Sequence, residues 1–286
     1  MLLIAGAVII LFSIFGSFAY DGGHLAALFQ PVELLMIGGA AIGAFFISND
    51  KETILATWRA LPLIARTQNH SKALYSDMIV MLFEVLTKIR KEGLMSIEGD
   101  IDNVYESPLF TKYPNVIQDT HLMEFLSDYL RLMASGNVDA YQIENLIDVE
   151  LDVHHADTEL PVLALSKVAD GLPAFGIVAA VMGVVHTMES VGIPPAELGI
   201  LIAKALVGTF LGILLSYGFV APIAVRLEQR LHANAMAYQS IKVTLIASLN
   251  GYPPMIACEF GRKALSARVR PTFKELEDDI HAVKHR

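Results

Sequence analysis

Four apolar stretches constrain what this chain can fold into more than any other feature. Residues 2–19 and 205–225 carry no charged side chain, and each can cross roughly 30 Å of hydrocarbon as a helix. Residues 32–47, with Glu33 near their start, and residues 172–188 are shorter. A buried core helix could look like either short stretch, but each pairs with a long neighbour across a tight loop, which is typical of a membrane hairpin. We predict an all-α integral membrane protein with four transmembrane helices.

Composition argues against a soluble enzyme. Of 286 residues, 54% are hydrophobic and only 18% are charged, which is too apolar for a cytosolic globular protein of this length. The lone Cys258 cannot form an intrachain disulfide or a cysteine-built zinc site. The glycines match no nucleotide-binding motif, and no Ser, His and Asp arrangement indicates a nucleophile. We therefore expect neither an enzyme nor a bound cofactor.

The cations predict the orientation in the membrane. The two short loops, residues 20–31 and 191–198, contain no Lys or Arg, whereas residues 50–170 and 226–286 contain ten each. The positive-inside rule then places the central segment and both chain ends in the cytoplasm. A cleaved signal peptide is the alternative for the first span, but no Lys or Arg precedes its apolar run.

Residues 49–170 are predicted to form a large helical cytoplasmic domain between spans 2 and 3. Its helices should run from Ser71, a capping residue, to Gly93, then over residues 116–135, then from Asp139 towards Pro161. A helix over residues 51–66, with Trp58 at headgroup level, suits the membrane surface. The remaining predicted segments are two transmembrane hairpins, 1–48 and 171–225, and a cytoplasmic tail, 226–286.

Charge divides unequally between the two predicted cytoplasmic segments. Residues 50–170 hold 20 acidic against 10 basic side chains, and residues 226–286 hold 6 against 10. A solvated acidic surface with a basic juxtamembrane tail explains this, and so does electrostatic docking onto a charged partner. Glu150, His154 and Asp157 share one helical face, which makes a metal site geometrically possible. Because the surrounding sequence is so rich in acidic residues, coincidence explains this grouping of side chains, and we predict no metal site.

Small residues line one side of both the third and the fourth span. Two interpretations stay open: close helix packing, or a narrow polar seam in which Thr209 and Ser216 offer hydroxyls to a passing ion. Within each span these small residues are separated mostly by three or four positions, which places them on one side of a helix. They are Pro173, Gly176, Ala180, Gly183 and Thr187 in the third span, and Gly208, Thr209, Gly212 and Ser216 in the fourth.

No carboxylate lies deep in any predicted span. The acids nearest to the spans all fall at or beyond their ends: Asp21, Glu33, Asp170, Glu189 and Glu197. Proton relays use an intramembrane titrating group, so a proton path here needs a partner's carboxylate. His186 is expected to be an interfacial polar residue.

Two prolines are expected level with each other where the membrane and cytoplasmic parts meet. Pro173 should begin the third span, and Pro222 should lie near the cytoplasmic end of the fourth. Each removes an amide donor, so they are either boundary residues or a hinge that transmits motion out of the membrane.

Long motifs over nearly the whole chain resemble the MotA family of flagellar motor stator proteins. They are GGHLAALFQPVELLMIGGAAIGAF, FLSDYLRLMASGN, DGLPAFGIVAAVMGVVHTMES, ELGILIAKALVGTFLGILLSYGFVAP and VTLIASLNGYPPMIACEFGRKALSARVRP. The resemblance implies a subunit of the bacterial inner membrane that assembles as a pentamer around two copies of MotB. MotB would supply the transmembrane Asp, and ion flow would drive rotation of the ring against the rotor protein FliG.

The same resemblance assigns residue roles. The segment TKIRKEGLMSIEGDID matches the family's rotor contact at Arg90 and Glu98, and the family's functional prolines match Pro173 and Pro222. Sodium-driven relatives carry hydroxyls at both facing positions where this chain has Ala180 and Thr209, which favours H⁺ as the transported ion. Lys204 departs from the His expected in the proton-type branch and should snorkel to the interface.

Two alternatives to a stator subunit remain at this stage. An energiser of the ExbB or TolQ type shares the last two spans and powers outer-membrane processes, but the extra N-terminal hairpin and the Arg90 and Glu98 region argue against it. A non-conducting membrane scaffold would anchor a partner through the acidic segment. That alternative predicts that Thr209→Val or Pro173→Ala leaves function intact.

Overall fold

The computed structural model describes residues 2–65, 71–136, 139–189, 192 and 194–284, and in these the chain is helical with no β-strand. A 3₁₀ turn spans Leu94–Ile97, and π-helical turns span Phe12–Gly16 and Ser216–Val220. The α-helices are α1 (Leu2–Leu11), α2 (Ser17–Tyr20), α3 (Leu25–Leu28), α4 (Pro31–Ser48), α5 (Lys51–Ala65), α6 (Lys72–Glu92), α7 (Glu98–Asp102), α8 (Pro114–Ile117), α9 (Thr120–Ala134), α10 (Ala140–Glu189), α11 (Pro195–Leu215), α12 (Ala221–Leu249), α13 (Pro254–Ala264) and α14 (Phe273–Lys284).

The four predicted spans are confirmed as helices long and apolar enough to cross a membrane. They are Leu2–Tyr20, Leu25–Ser48, Ala140–Glu189 and Ala196–Leu249. The third and fourth are far longer than predicted, at 50 and 54 residues. Hydropathy detects only the apolar part of a helix, whereas backbone hydrogen bonding continues into polar sequence.

The prediction that Pro173 begins a helix is wrong. Pro173 and Pro161 both lie inside α10, so the predicted third helix of the central segment and the third span are one continuous helix. A proline removes one intrahelical hydrogen bond, and tertiary packing can compensate for that loss. The start after Asp139 is confirmed: its carboxylate accepts from the Gln142 amide at 2.8 Å, and the Gln142 side chain accepts from the Asp139 amide at 3.1 Å.

The chain divides into two compact units. The first comprises Met1–Arg66 with Thr158–Gln229, and the second Thr67–Asp157 with Arg230–Arg286. The first unit therefore holds both predicted hairpins in full, together with the adjoining residues 49–66, 158–170 and 226–229. The second unit combines most of the central segment with most of the tail. The tail joins the second unit because α13 and α14 both pack on α6.

Helix α6 is the centre of the second unit. Tyr75, Met78 and Leu82 on this helix are fully buried, and Tyr75 donates through its hydroxyl to the Ala233 carbonyl at 2.9 Å. Its predicted ends are confirmed: the Ser71 hydroxyl accepts from the Leu74 amide, and Gly93 ends the helix with a φ of 90°. Only glycine adopts such a conformation without strain.

The helix predicted over residues 116–135 is interrupted near its start. A short helix, α8, ends at Ile117, and α9 begins at Thr120. Between them the Asp119 carboxylate accepts from the Leu122 amide at 3.1 Å and caps α9. The predicted stop at Gly136 is confirmed by its φ of 69°.

In the first unit, the core lies where α4 meets α10. Ile37 and Ala41 of α4 are buried against Leu172 and Ala179 of α10. The helix predicted over residues 51–66 is present as α5, except that Arg66 lies outside the described residues. Trp58 on α5 is 62% exposed, as a headgroup-level position requires, and the membrane-surface location of α5 stays a prediction.

Candidate ion-pathway and coupling site

The small residues of α10 and α11 bring the two helices into close contact. A β-carbon on Gly176 would lie 2.9 Å from the Gly208 carbonyl oxygen, and one on Gly212 would lie 2.7 Å from the Leu172 carbonyl oxygen. Contact continues further along, where a β-carbon on Gly183 would lie 2.7 Å from the Ala205 β-carbon. These glycines therefore serve close packing, which is one of the two interpretations of the stripes.

The ion-pathway positions Ala180 and Thr209 lie at the same level of this contact. A β-carbon on Gly208, the neighbour of Thr209, would approach the Ala180 amide nitrogen to 3.2 Å. Both Ala180 and Thr209 are half-buried in the single chain. The fold thus brings together the two positions that the family resemblance assigns to the ion pathway, and their role stays a prediction.

Ser216 has a defined hydrogen-bond partner that the sequence did not reveal. Its side chain is fully buried, and its hydroxyl donates to the Ala169 carbonyl on α10 at 2.5 Å. This bond joins residues 47 positions apart in the chain. The hydroxyl expected in the ion pathway is therefore bound to the backbone of the neighbouring helix, while its role in the pathway stays a prediction.

Pro222 follows a local change in helix type. The π-turn Ser216–Val220 connects α11 to α12, and the Ala221 amide donates to the Ser216 carbonyl across it. Pro222 is the second residue of α12, so it lacks the amide that would continue the pattern. Such π-turns inside helices occur frequently at functional sites.

One face of this segment is open. Pro222, Tyr217 and Arg226 line a groove of about 560 Å³ whose opposite wall includes Leu3 and Ile10 of α1. The backbone next to Pro222 is therefore not packed tightly on this side within the single chain. Such a gap leaves room for the turn at Pro222 to change shape.

No Asp or Glu lies deep in the apolar parts of the spans, residues 2–19, 32–47, 172–188 and 205–225. Glu33 is in the first turn of α4, and its Oε2 is buried without a hydrogen-bond partner among the described residues. Glu197 is likewise in the first turn of α11. His186, near the end of α10, is exposed and lies 3.7 Å from Glu189. Lys204 is exposed on α11.

The expected rotor contacts Arg90 and Glu98 are both exposed and lie on either side of a sharp turn. Arg90 is in the last turn of α6, and Glu98 is the first residue of α7. An ion pair ties the same two helices together, since the Lys88 ammonium lies 2.6 Å from the Asp100 carboxylate. The structure thus holds Arg90 and Glu98 on one braced turn.

Asp100 is electrostatically adapted to this position. Burial by itself raises the pKa of the Asp100 carboxyl, but hydrogen bonds from Lys88 and Ser107 together lower that pKa below its ordinary value. The Ser107 hydroxyl donates to Asp100 at 2.6 Å. Asp100 is therefore ionised at neutral pH and braces the turn as an anion.

A cavity of about 410 Å³ adjoins Glu98. Met95 and Ile101 give it apolar walls, and Asp102 and Arg131 give it a charged rim, where their side chains lie 3.3 Å apart. Met95 is 65% exposed. The sequence could not predict this cavity because α7 and α9, which form it, are separate in the chain.

The acidic face considered as a metal site is engaged in packing and hydrogen bonding. Glu150 accepts from the Tyr129 hydroxyl at 2.5 Å, and the His154 ring lies 5.0 Å from the Tyr238 ring. Within the described residues, no three His, Cys, Asp or Glu side chains are grouped as metal ligands.

Comparison with known families first defines the class of protein. Residues 117–240 match the MotA/TolQ/ExbB proton channel family, and residues 4–93 match the N-terminal region of motility protein A. The two matches cover the first hairpin, α6 and the paired spans α10 and α11. The first match therefore places residues 117–240, which include α10 and α11, in a family of membrane proton-channel proteins.

Full-length relatives identify the branch of that class. The chain is 47% identical over 285 residues to motility protein A from Salmonella typhimurium and likewise to that from Escherichia coli, covering 100% of this chain and 97% of each relative. It is 33% identical to the chemotaxis protein LafT from Vibrio parahaemolyticus, over 95% of both chains. The chain belongs to the motility protein A family. The prediction of a flagellar stator subunit is thereby supported over an outer-membrane energiser or a scaffold.

Solved structures agree with this fold. The MotAB structure from C. jejuni matches with a TM-score of 0.77 over 93% of this chain and 95% of that one, at 17% identity. The flagellar MotAB stator complex from Bacillus subtilis matches with a TM-score of 0.73 over 90% and 92%, at 20% identity. These likenesses extend the agreement from sequence to the arrangement of the helices.

Proposed function

We propose that this chain forms a proton pathway with a MotB-type partner, whose transmembrane Asp supplies the titrating group. One observation carries the proposal: α10 and α11 form a closely packed pair, yet no Asp or Glu lies deep in the apolar stretches 2–19, 32–47, 172–188 and 205–225. A proton relay needs such a group. Two solved relatives with this fold are MotAB complexes, which supports a partner of this kind.

The assembly is a pentamer of this chain around two partner chains, embedded in the lipid of the bacterial inner membrane. Both chain ends and the second unit face the cytoplasm, because the cations lie almost entirely in residues 50–170 and 226–286. The partner's periplasmic part anchors the complex, so the ring of copies is the part that turns.

Pro173 and Pro222 couple ion flow to movement. Protonation of the partner's Asp removes a charge next to α10 and α11, which changes the preferred packing at the helix pair. Both prolines weaken the local helix hydrogen bonding, so the backbone bends at these two turns at lower cost than elsewhere. The bend moves the second unit relative to the membrane.

The rotor contact is made by Arg90 and Glu98 on the braced turn between α6 and α7. Their opposite charges suit a rotor surface that carries complementary charges, as FliG does in the family. Transient charged contacts of exposed side chains are weak individually, which allows repeated stepping.

H⁺ is the transported ion. Ala180 lies at the same level of the helix pair as Thr209, so this site offers one hydroxyl where sodium-driven relatives have two. A single hydroxyl gives fewer oxygen ligands to replace the hydration shell of Na⁺. Lys204 is exposed and snorkels to the interface.

Complementation tests the proposal directly. The chain is co-expressed with a MotB-type partner in a motile strain that lacks its own stator proteins, and swimming is recorded. Restored swimming is expected, and the matched control is the same partner with its transmembrane Asp replaced by Asn, which should not swim. If both chains reach the membrane and swimming is not restored, the proposal fails. Restoration by the Asn partner would exclude its carboxylate from the pathway.

A further inference from the structure

We infer that Ser216 is a positioning residue for Pro173, because its hydroxyl supplies the hydrogen bond that the proline withholds from its own helix. In an α-helix the amide of residue 173 donates to the carbonyl of residue 169. Pro173 has no amide hydrogen, so the Ala169 carbonyl loses that donor. The Ser216 hydroxyl reaches this same carbonyl from the neighbouring helix, at 2.5 Å.

Burial makes the replacement necessary. Ala169 is 2% exposed and Ser216 is 0% exposed, so bulk water has no access to the orphaned carbonyl. A buried carbonyl without a donor is costly, and native structures almost always satisfy it. The hydroxyl therefore compensates for the proline inside the membrane unit, where few other donors are at hand.

Other hydroxyls in the first unit bond differently. The hydroxyls of Thr187 and Ser48 donate to the Gly183 and Ala44 carbonyls, four residues earlier in their own helices, at 2.8 and 2.7 Å. Those carbonyls lie opposite ordinary amides and do not need a second donor. The Ser216 bond is distinguished by crossing between helices to a carbonyl that precedes a proline by four residues.

Ser216 also belongs to the turn at the second proline. The π-turn begins at this residue, and its carbonyl accepts the Ala221 amide, one residue before Pro222. Its side chain thus holds the Pro173 turn, and its backbone holds the Pro222 turn. A change of shape at either turn must alter or break the Ser216 bond, which links the two bends. For motility this consequence rests on the coupling role proposed for the two prolines, whereas the hydrogen-bond replacement does not.

The experiment is a double-mutant cycle on the thermal unfolding of the detergent-purified complex of this chain with its partner. Ser216→Ala removes the donor, Ser216→Thr keeps the hydroxyl, and Pro173→Ala returns an amide to the helix. Thr187→Val is the matched control, because it removes a buried hydroxyl from the same unit and leaves the amide donor of its carbonyl in place.

We expect Ser216→Ala to lower the unfolding temperature and Ser216→Thr to restore most of it, while Thr187→Val has a much smaller effect. In the Pro173→Ala background, Ser216→Ala should have little further effect, because the restored amide satisfies Ala169. If Ser216→Ala alone does not accumulate, the double variant should accumulate better than the single one. An equal loss in both backgrounds, or no loss from Ser216→Ala in the wild-type chain, would overturn the inference.

Motility provides a second, separate measurement. Ser216→Ala should slow swimming in cells whose membranes contain normal amounts of the complex, and Ser216→Thr should recover it. A strong coupling in the unfolding cycle with unchanged swimming would keep the hydrogen-bond replacement and reject the coupling role of the prolines. Loss of swimming without coupling in the cycle would reject the replacement.

Discussion

Lys88 and Asp100 form an ion pair, with 2.6 Å between the ammonium nitrogen and a carboxylate oxygen, that joins α6 to α7 and flanks the two expected rotor contacts in the chain. Their side chains are 31% and 13% exposed, so the pair is largely protected from solvent. Arg90 lies two residues after Lys88, and Glu98 lies two residues before Asp100. The ion pair therefore determines how these two charges are presented.

Removing the Asp100 charge should loosen this turn. We expect Asp100→Asn to lower the free energy of unfolding by about 1–2 kcal/mol, since it weakens a charged hydrogen bond in a mostly buried place. Thermal unfolding of the purified complex measures the loss. The matched control is Glu275→Gln, which breaks the exposed pair with Lys72 at 2.6 Å and should cost much less. Equal losses in the two variants would contradict a bracing role for Asp100.

The same pair predicts a pH dependence. The pKa of Asp100 is lower in the folded chain than in the unfolded one, so its stabilisation is complete above the unfolded carboxyl pKa and is lost as pH falls through the folded value. The wild-type chain should therefore lose more stability on acidification than Asp100→Asn does. Unfolding midpoints recorded from neutral pH downwards would show the two proteins converging. Parallel curves would assign the acid sensitivity to other carboxyls.

Charge reversal at the rotor turn should affect torque and leave assembly intact. Arg90 is exposed at the end of α6 and has no part in the buried core, so Arg90→Glu should fold and insert normally. Swimming speed is expected to fall, and the amount of complex in the membrane is expected to stay unchanged. Lys91→Glu, a reversal at the adjacent exposed cation, is the control and should have a smaller effect. Unchanged swimming in Arg90→Glu would remove this residue from the rotor contact.

The ion assignment has its own test. Because Ala180 offers no hydroxyl at the level of Thr209, we expect swimming to collapse with a protonophore and to persist when sodium is replaced by potassium. Ala180→Ser, which introduces the second hydroxyl, should fold, because Ala180 is half-buried and a hydroxyl is small. Swimming speeds in the defined media provide the measurement. Dependence on sodium in the wild-type chain would reverse the assignment.

Features that depend on local sequence were predictable, and features that depend on the register between distant helices were not. The caps at Ser71 and Asp139 and the ends at Gly93 and Gly136 follow from the conformational preferences of those residues, and all four were confirmed. The four spans follow from apolar length. The continuation of α10 through Pro173 did not follow, because tertiary packing overrode the proline.

The candidate site divides in the same way. The sequence placed small residues on one side of each of two spans, but it could not tell which glycine meets which. The bond from Ser216 to Ala169 depends on how the fourth span is rotated and shifted against α10. The sequence does not reveal this pairing, because the two residues are 47 positions apart. The ion pair of Lys88 with Asp100 depends on the angle of the turn at Gly93. Local patterns thus predict faces, whereas pairing is set by packing.

Close packing of the paired spans gives the last prediction. A β-carbon on Gly212 would lie 2.7 Å from the Leu172 carbonyl oxygen and 2.9 Å from the Gly176 α-carbon, and backbone atoms cannot move aside as a flexible side chain does. Gly212→Ala should therefore push α11 away from α10, destabilise the complex by about 1–3 kcal/mol as overpacking does, and abolish swimming. Gly199→Ala is the matched control on the same helix, because a β-carbon there meets nothing within 4 Å. Since alanine favours the helix over glycine, this control should keep or slightly raise stability. The measurements are the unfolding temperature of the purified complex and the swimming speed of cells that carry each variant. If Gly212→Ala retained stability and swimming as well as Gly199→Ala does, the paired spans would not pack at Gly212 in the working complex.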